Sequence, residues 1–120
     1  MSRSLNTIML IGNVTKDPEL RQTNTGTSVV SFSIATNREW VVNGEKKNET
    51  QFHRIVAWAK LADLCAQYLH KGSKAFVSGM LTYRTYTNKE GNEVQVSEII
   101  INDMIILDPK REVGGGENNG

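Results

Sequence analysis

Apolar and polar residues alternate with a period of two along most of the chain, which is the pattern of β-strands. Segment 28–36 is the clearest case, because Val30, Phe32 and Ile34 predict one buried face. Other segments rich in β-branched and aromatic residues also predict strands: 5–14, 50–60, 73–87 and 93–107. Segment 15–21 contains Asp17-Pro18 and predicts a turn.

One segment has a different period. From Lys60 to His70, apolar residues recur at helical spacing, which predicts a single helix. Gly12 and Gly79 interrupt the first and fourth strands and predict bends or bulges that let a small sheet curl. The order is three strands, one helix and two strands. It predicts an all-β fold, a five-stranded Greek-key barrel of the oligonucleotide/oligosaccharide-binding (OB) type, with one α-helix between strands 3 and 4.

Two polar segments lie between predicted strands and predict the long loops of two β-hairpins. They are 41–49, around Asn43-Gly44, and 88–92. The last residues, V-G-G-G-E-N-N-G, cannot bury apolar surface. We therefore expect a single OB domain over residues 1–109, followed at 110–120 by the disordered start of a glycine-rich linker.

Composition narrows the class of protein. A chain of 120 residues with 38% hydrophobic residues is long enough for one domain with one core. A net charge of +1 is compatible with a basic groove on one face. The one cysteine excludes an intramolecular disulfide, no apolar run reaches membrane-spanning length, and the N-terminus lacks a signal-peptide pattern. These features favour a cytoplasmic protein.

The sequence offers little for catalysis. Cys65 lies on the apolar stripe of the predicted helix, where a buried structural role is favoured over a reactive pair with His53. Two histidines and one cysteine cannot form a structural zinc site, and the acidic residues are scattered. The glycines at 114–116 precede no helix, so the phosphate-loop pattern fails. We expect no enzyme activity, no catalytic residue, no metal and no cofactor.

A binding function fits better. In segment 50–60, alternation places Phe52, Arg54, Val56 and Trp58 on one face. Rings beside a planar cation suit the faces of unpaired bases, although they also suit an ordinary core. Further rings and interleaved cations follow the same pattern: Trp40, Tyr83, Tyr86, Arg38, Lys60, Lys71 and Arg84. Together they favour single-stranded nucleic acid, which offers a π-face and a phosphate at every nucleotide.

Individual residues keep alternative interpretations. Trp40 could equally close the end of the barrel, and Tyr83 could serve either role. Tyr86, in the polar stretch T-Y-T-N-K, favours binding. His53 lies opposite the aromatic face, which favours a core or subunit contact.

Over most of 4–106, the chain resembles the bacterial-type single-stranded DNA-binding protein family. The resemblance is carried by N-T-I-M-L-I-G-N-V-T-K-D-P-E-L-R, I-A-T-N-R-E-W, F-H-R-I-V-A-W-A-K-L-A-D-L-C-A-Q-Y-L-H-K-G-S and V-S-G-M-L. It implies a homotetrameric OB fold, a dimer of dimers, that binds and protects single-stranded DNA without sequence preference in replication, recombination and repair.

The resemblance also implies roles for residues. The stacking positions are Trp40, Phe52, Trp58 and Tyr86, and the phosphate contacts are Arg54, Lys60, Lys71 and Arg84, to which we add Arg38. Phe52 and Tyr86 stand where tryptophan is frequent, and Trp58 where phenylalanine is common. An intersubunit surface is expected at Thr7, Met9, Ile11 and His53. The family recruits genome-maintenance proteins through an acidic C-terminal tail, and this chain is expected to end in the linker that precedes it.

Three alternatives stay open at this point. The chain could be a primosomal or RNA-binding OB module. It could be a protein-interaction subunit whose rings form a dimer face. A nuclease is the least favoured, because no carboxylate cluster is evident.

Overall fold

The structure, a computed structural model, describes residues 3–109, so the expected linker start at 110–120 lies outside the described residues. The described part contains six strands and one helix in this order: β1 (Ile8–Val14), β2 (Glu19–Gln22), β3 (Ser28–Val42), β4 (Glu45–Trp58), α1 (Ala59–Tyr68), β5 (Lys74–Thr87) and β6 (Glu93–Ile106).

The strands form one curled sheet in the order β1-β5-β6-β4-β3-β2, and pairing between β1 and β3 closes it into a barrel. Among the strands of residues 3–109, only β4 and β6 are parallel; the other pairs are antiparallel. Five strands make the barrel, and α1 stands between the third and fourth of them in chain order. The predicted all-β OB architecture is confirmed.

Two local predictions were wrong. The short strand β2 occupies part of the segment expected to be a turn, and it pairs with residues 28–31 of β3. Its four side chains are all exposed, so it carries no alternation that the sequence could reveal.

The second error is the loop at 41–49. These residues instead complete β3 and β4, which pair up to Val42 and Glu45. Only Asn43 and Gly44 form the turn, with φ of 52° and 79°. Positive φ at both positions is the mark of a type I′ turn, whose twist matches that of the two strands and lets pairing continue to the tip.

The core is made by the inward-facing residues of the barrel and by one face of the helix. Its members are Val14, Val30, Phe32, Ile34, Ile55, Ala57, Ala62, Cys65, Leu69, Ala75, Val77, Ile99 and Ile101. The buried face predicted from Val30, Phe32 and Ile34 is confirmed. Burial raises the pKa of the Cys65 thiol to about 11, so this cysteine behaves as a core hydrophobe.

The two interior glycines allow strands to approach closely. A Cβ at Gly79 would collide with the main-chain oxygen of Ile100, at a register shift between Ser78 and Gly79 that forms the expected bulge. A Cβ at Gly12 would collide with the main-chain oxygen of Ala35, where β1 passes from β5 to β3. Both glycines therefore lie where the sheet bends into a barrel.

Candidate nucleic-acid interface

The outer face of β4, β6 and β5 forms a groove. β6 lies between the other two strands, with Val56 beside Ile100 and Thr82 opposite Glu98. Alternation directs Ile55, Ala57 and Ile99 into the core, so the intervening residues face outward. The groove has a volume of about 500 Å³ and is lined by Arg21, Val29, Val30, Ser31, Arg54, Val56, Trp58, Thr82, Tyr83, Arg84, Glu98 and Ile100.

Aromatic rings lie in and beside this groove, and they are open to solvent. Trp58 is 45% exposed and Tyr83 is 62% exposed at its wall. Tyr86, 43% exposed, lines an adjoining groove of about 290 Å³ together with Arg54, Arg84 and Val96. Phe52, 68% exposed, lies on the same face of β4 as Arg54 and Trp58. None of these four rings is sealed in the core, and Arg54 and Arg84 connect the two grooves.

A buried carboxylate joins the two arginines. Glu98 is only 7% exposed. It accepts hydrogen bonds from Arg54 Nε at 2.7 Å and from Arg84 Nη2 at 2.9 Å, both on Oε2. The hydrogen bond from Arg84 lowers the pKa of Glu98 most, burial opposes this, and the hydrogen bond from Arg54 adds to the lowering. Glu98 therefore stays ionised in the groove floor, and the same contact raises the pKa of Arg84.

The groove is electropositive despite this carboxylate. Its lining holds the cations Arg21, Arg54 and Arg84 against the single anion Glu98, which leaves an excess of two positive charges. The guanidinium carbon of Arg84 lies 5.9 Å from the centre of the Tyr86 ring. This arrangement offers phosphate-binding cations next to stacking surfaces.

Trp40 and Arg38 lie elsewhere. Trp40 pairs with Lys47, whereas Phe52 pairs with Ala35. Alternation then places Trp40 and Phe52 on opposite faces of the β3–β4 hairpin. Arg38 stacks over the Trp40 ring with its guanidinium carbon 4.5 Å from the ring centre, and it donates to Glu49 Oε1 at 2.9 Å. These two residues form a separate exposed cluster rather than part of the groove.

The two predicted lysine contacts also lie outside the groove lining. Lys60 is exposed in the first turn of α1. Lys71 is exposed in the turn after the helix, where its main-chain N–H donates to Asp17 at 2.8 Å. The structure thus brings together two of the five predicted basic residues, Arg54 and Arg84.

The four predicted intersubunit residues do not all lie on one surface. Thr7, Met9 and Ile11 are exposed, on or just before the outer face of β1. Ile11 pairs with Phe76, which in turn pairs with the exposed Ile105. His53 lies apart from them, half-buried on the core side of β4, with Nε2 2.9 Å from Thr36 Oγ1.

Within residues 3–109, no group of three histidine, cysteine, aspartate or glutamate side chains could hold a metal ion. No helix in this part of the chain is long and apolar enough to cross a membrane.

Sequence reasoning missed Glu98 and Arg21. Arg21 belongs to β2, which was itself missed. Glu98 carried a usable signal, because it precedes three consecutive isoleucines in a strand. A carboxylate in such a run predicts either a solvent-facing position or a buried one with a cationic partner.

An OB barrel with an open, electropositive groove flanked by exposed rings defines a class of nucleic-acid-binding domain. Comparison with known proteins then gives the family. The family model described as "Single-strand binding protein family" matches residues 5–107, and the chain belongs to this family.

Three named relatives are single-stranded DNA-binding proteins, in agreement with the family model. The chain is 44% identical over 117 residues to the single-stranded DNA-binding protein 1 of Chlorobaculum tepidum, covering 96% of this chain and 72% of that protein. It is 43% identical to the single-stranded DNA-binding protein 1 of Staphylococcus aureus, covering 88% and 67%, and 40% identical to the single-stranded DNA-binding protein of Bacillus cereus, covering 97% and 66%. A solved structure of a Plasmodium falciparum SSB complex with ssDNA superposes with a TM-score of 0.83 at 39% identity, covering 90% of this chain and 99% of that one.

Proposed function

We propose that this protein binds and protects single-stranded DNA without sequence preference, in replication, recombination and repair. The observation that carries the proposal is the groove on β4, β6 and β5. Exposed rings stand beside it, and Arg54 and Arg84 lie between them. Bases would stack on Trp58, Phe52 and Tyr86, and phosphates would meet the guanidinium groups. Family membership and the names of the relatives support the same function.

The chemistry of the groove favours single strands over duplexes. A ring can stack only on a base whose face is free, and in a duplex these faces are covered by neighbouring base pairs. Stacking also uses a surface that every base has, so it discriminates weakly among sequences. Phosphate contacts add affinity that falls as salt rises.

Fluorescence anisotropy with labelled oligonucleotides tests this proposal. Unstructured oligo-dT and a mixed sequence of equal length should bind with similar affinity, and the affinity should fall steeply across a salt series. A duplex of equal length and an RNA of the same sequence serve as competitors. A duplex that competes as well as oligo-dT would contradict the proposal, and preferential binding of RNA would favour the RNA-binding alternative.

We also propose that the chain self-associates as a homotetramer, a dimer of dimers. Two features support this. Met9 and Ile11 expose apolar side chains on β1. Within residues 3–109, β1 meets β3 only at Asn13 and Val14, so one edge of Ile8–Gly12 has no strand partner and can take a strand from a second copy.

The mass in solution tests this second proposal. Met9→Glu places a charge on the β1 surface and should lower the mass measured by light scattering. Leu20→Glu is a matched control, because Leu20 is also exposed but lies on β2. An unchanged mass for Met9→Glu, or an equal change for the control, would contradict assembly through β1. If Trp58→Ala or Phe52→Ala changes the mass and leaves DNA affinity unchanged, the rings form a protein interface instead.

We further propose that the domain acts without catalysis, in the cytoplasm and its nucleoid, where the DNA of a bacterial-type cell lies. Labelled single-stranded DNA incubated with the protein and magnesium should stay intact, and fragments that appear would contradict a purely binding role. Recruitment of genome-maintenance proteins would need an acidic tail beyond the residues that the structure describes.

A further inference from the structure

We propose that Glu98 is a positioning residue for DNA binding, which fixes the guanidinium groups of Arg54 and Arg84 in the groove floor. This rests on the proposed function and adds an acidic residue to a site otherwise built from rings and cations. The alternative is that Glu98 competes with phosphates for the two arginines, and the two roles predict opposite effects of removing it.

The topology places Glu98 between its two partners. β6 lies between β4 and β5, and the register puts Glu98 directly opposite Thr82, two residues before Arg84. On the other side, Ile99 and Ile100 pair in parallel with Ile55 and Val56, so Glu98 falls beside Arg54. One carboxylate can therefore reach an arginine from each neighbouring strand.

The contacts hold both guanidinium groups by their inner edge. Oε2 accepts from Arg54 Nε at 2.7 Å and from Arg84 Nη2 at 2.9 Å, and Oε1 accepts from Arg84 Nε at 3.4 Å. A guanidinium group has five N–H donors, so most donors of both arginines remain available to a phosphate. Thr82 Oγ1 also donates to the main-chain oxygen of Glu98 at 3.3 Å, next to this network.

The burial of Glu98 separates the roles of the three side chains. The side chain of Glu98 is 9% exposed, whereas those of Arg54 and Arg84 are 44% and 51% exposed. The carboxylate lies beneath the arginines, so a phosphate entering the groove meets their outer edges first. A fixed arginine loses less conformational freedom when it binds, which is the general advantage of a preorganised site.

Charge gives a readout that a purely structural residue would not change. The trio carries one net positive charge, and Glu98→Gln raises this to two. Single-strand binding affinity falls with salt with a slope of roughly 0.7 per neutralised phosphate. We expect Glu98→Gln to steepen the slope by up to about this amount, and to weaken binding about fivefold to tenfold at the high-salt end, where preorganisation rather than charge decides affinity.

The experiment measures oligo-dT binding across a salt series for four proteins and one control variant. They are the wild type, Glu98→Gln, Arg54→Gln/Arg84→Gln, and the triple variant that combines these changes. Glu93→Gln removes a charge from an exposed position on the same strand and is the matched control. If Glu98 acts through the two arginines, Glu98→Gln changes affinity less than twofold when both are already replaced. Thermal melts followed by circular dichroism verify folding.

A second measurement needs no variant. In the wild type, NMR signals of the Arg54 and Arg84 Nε–H groups should be protected from solvent exchange, and they should stay so when oligo-dT is added. Loss of these signals on binding would mean that phosphates take the arginines from Glu98, which overturns the inference. Tighter binding of Glu98→Gln at every salt concentration, or weaker binding that persists in the triple variant, also overturns it. A wild type that fails to bind oligo-dT would instead reject the proposed function itself.

Discussion

Replacing Trp58 by alanine gives the sharpest test of stacking in the groove. Trp58 is the last residue of β4, at the groove wall; the residue is 45% exposed and lies on the same face as Arg54. Truncation removes the ring and leaves the arginine network in place. The substitution therefore isolates base stacking from phosphate binding.

Trp58→Ala should lower both the affinity for DNA and the stability of the fold. A base stacked on an aromatic ring contributes about 1–3 kcal/mol, so affinity should fall roughly 5-fold to 150-fold. The buried half of the ring amounts to roughly 100 Å², so its loss should also cost about 2–3 kcal/mol of unfolding free energy at 25 cal/mol per Å². The melting temperature should fall, and affinity must be measured well below it.

The assay is anisotropy with oligo-dT at one fixed salt concentration, and Tyr68→Ala is the control. Tyr68 has a similar exposure, 51%, but belongs to α1 and lies outside the groove lining. The Tyr68→Ala variant should bind DNA with unchanged affinity. Trp58→Phe should recover most of the affinity that Trp58→Ala loses. A folded Trp58→Ala protein with wild-type affinity, or an equal loss in Tyr68→Ala, would refute the stacking role. An unchanged salt slope in Trp58→Ala would separate the ring from the cations.

Three further predictions concern stability and can be measured by thermal or denaturant unfolding. Ala59 has a φ of 57°, so Ala59→Gly should relieve about 1–2 kcal/mol of left-handed backbone strain. The greater freedom of glycine in the unfolded chain offsets part of this gain. Unfolding of the variant at a lower denaturant concentration than the wild type would contradict the prediction. Gly79→Ala should destabilise the protein by about 3 kcal/mol, because the added Cβ meets the main chain of Ile100 rather than a flexible side chain. Gly26→Ala is the control and should cost less, because no atom lies near the added Cβ and only the φ of +88° is unfavourable. The lowered pKa of Glu98 means that this carboxylate binds a proton more weakly in the folded state than in the unfolded state. The contribution of Glu98 to folding stability is therefore complete above the pKa of the unfolded chain, about 4.3, and is lost as the pH falls through the lower pKa of the folded state. The difference in melting temperature between the wild type and Glu98→Gln should shrink as the pH falls below about 4, and a constant difference would show that the charge does not stabilise the fold.

Much of the barrel follows from local patterns. Alternation in β3 predicted its buried face, and the change of period after Trp58 predicted α1 to within two residues at its C-terminal end. The same rule predicted that Phe52 and Trp58 share one face of β4, but it could not decide whether that face is buried or open to solvent. Alternation could not show β2, because a strand with four exposed residues has no buried face. It also could not show Glu98 between two arginines, because that contact depends on β6 lying between β4 and β5.

The division of the predicted rings between two surfaces has a similar cause. In a hairpin, the length of the turn decides which residues share a face. Here Val42 pairs with Glu45, so an even-numbered residue of β3 lies on the same face as an odd-numbered residue of β4. Trp40 therefore shares its face with Lys47, and Phe52 shares the other face with Ala35. A sequence interpretation that makes 41–49 a loop leaves this relation undefined and permits all the rings to converge.

Once Asn43 and Gly44 are known to form the whole turn, a strand of DNA that contacts both Trp40 and Phe52 of one copy must cross an edge or the tip of the β3–β4 hairpin. The groove on β4, β6 and β5 can then account for the proposed stacking on Trp58, Phe52 and Tyr86, while any contribution of Trp40 requires a path that leaves it.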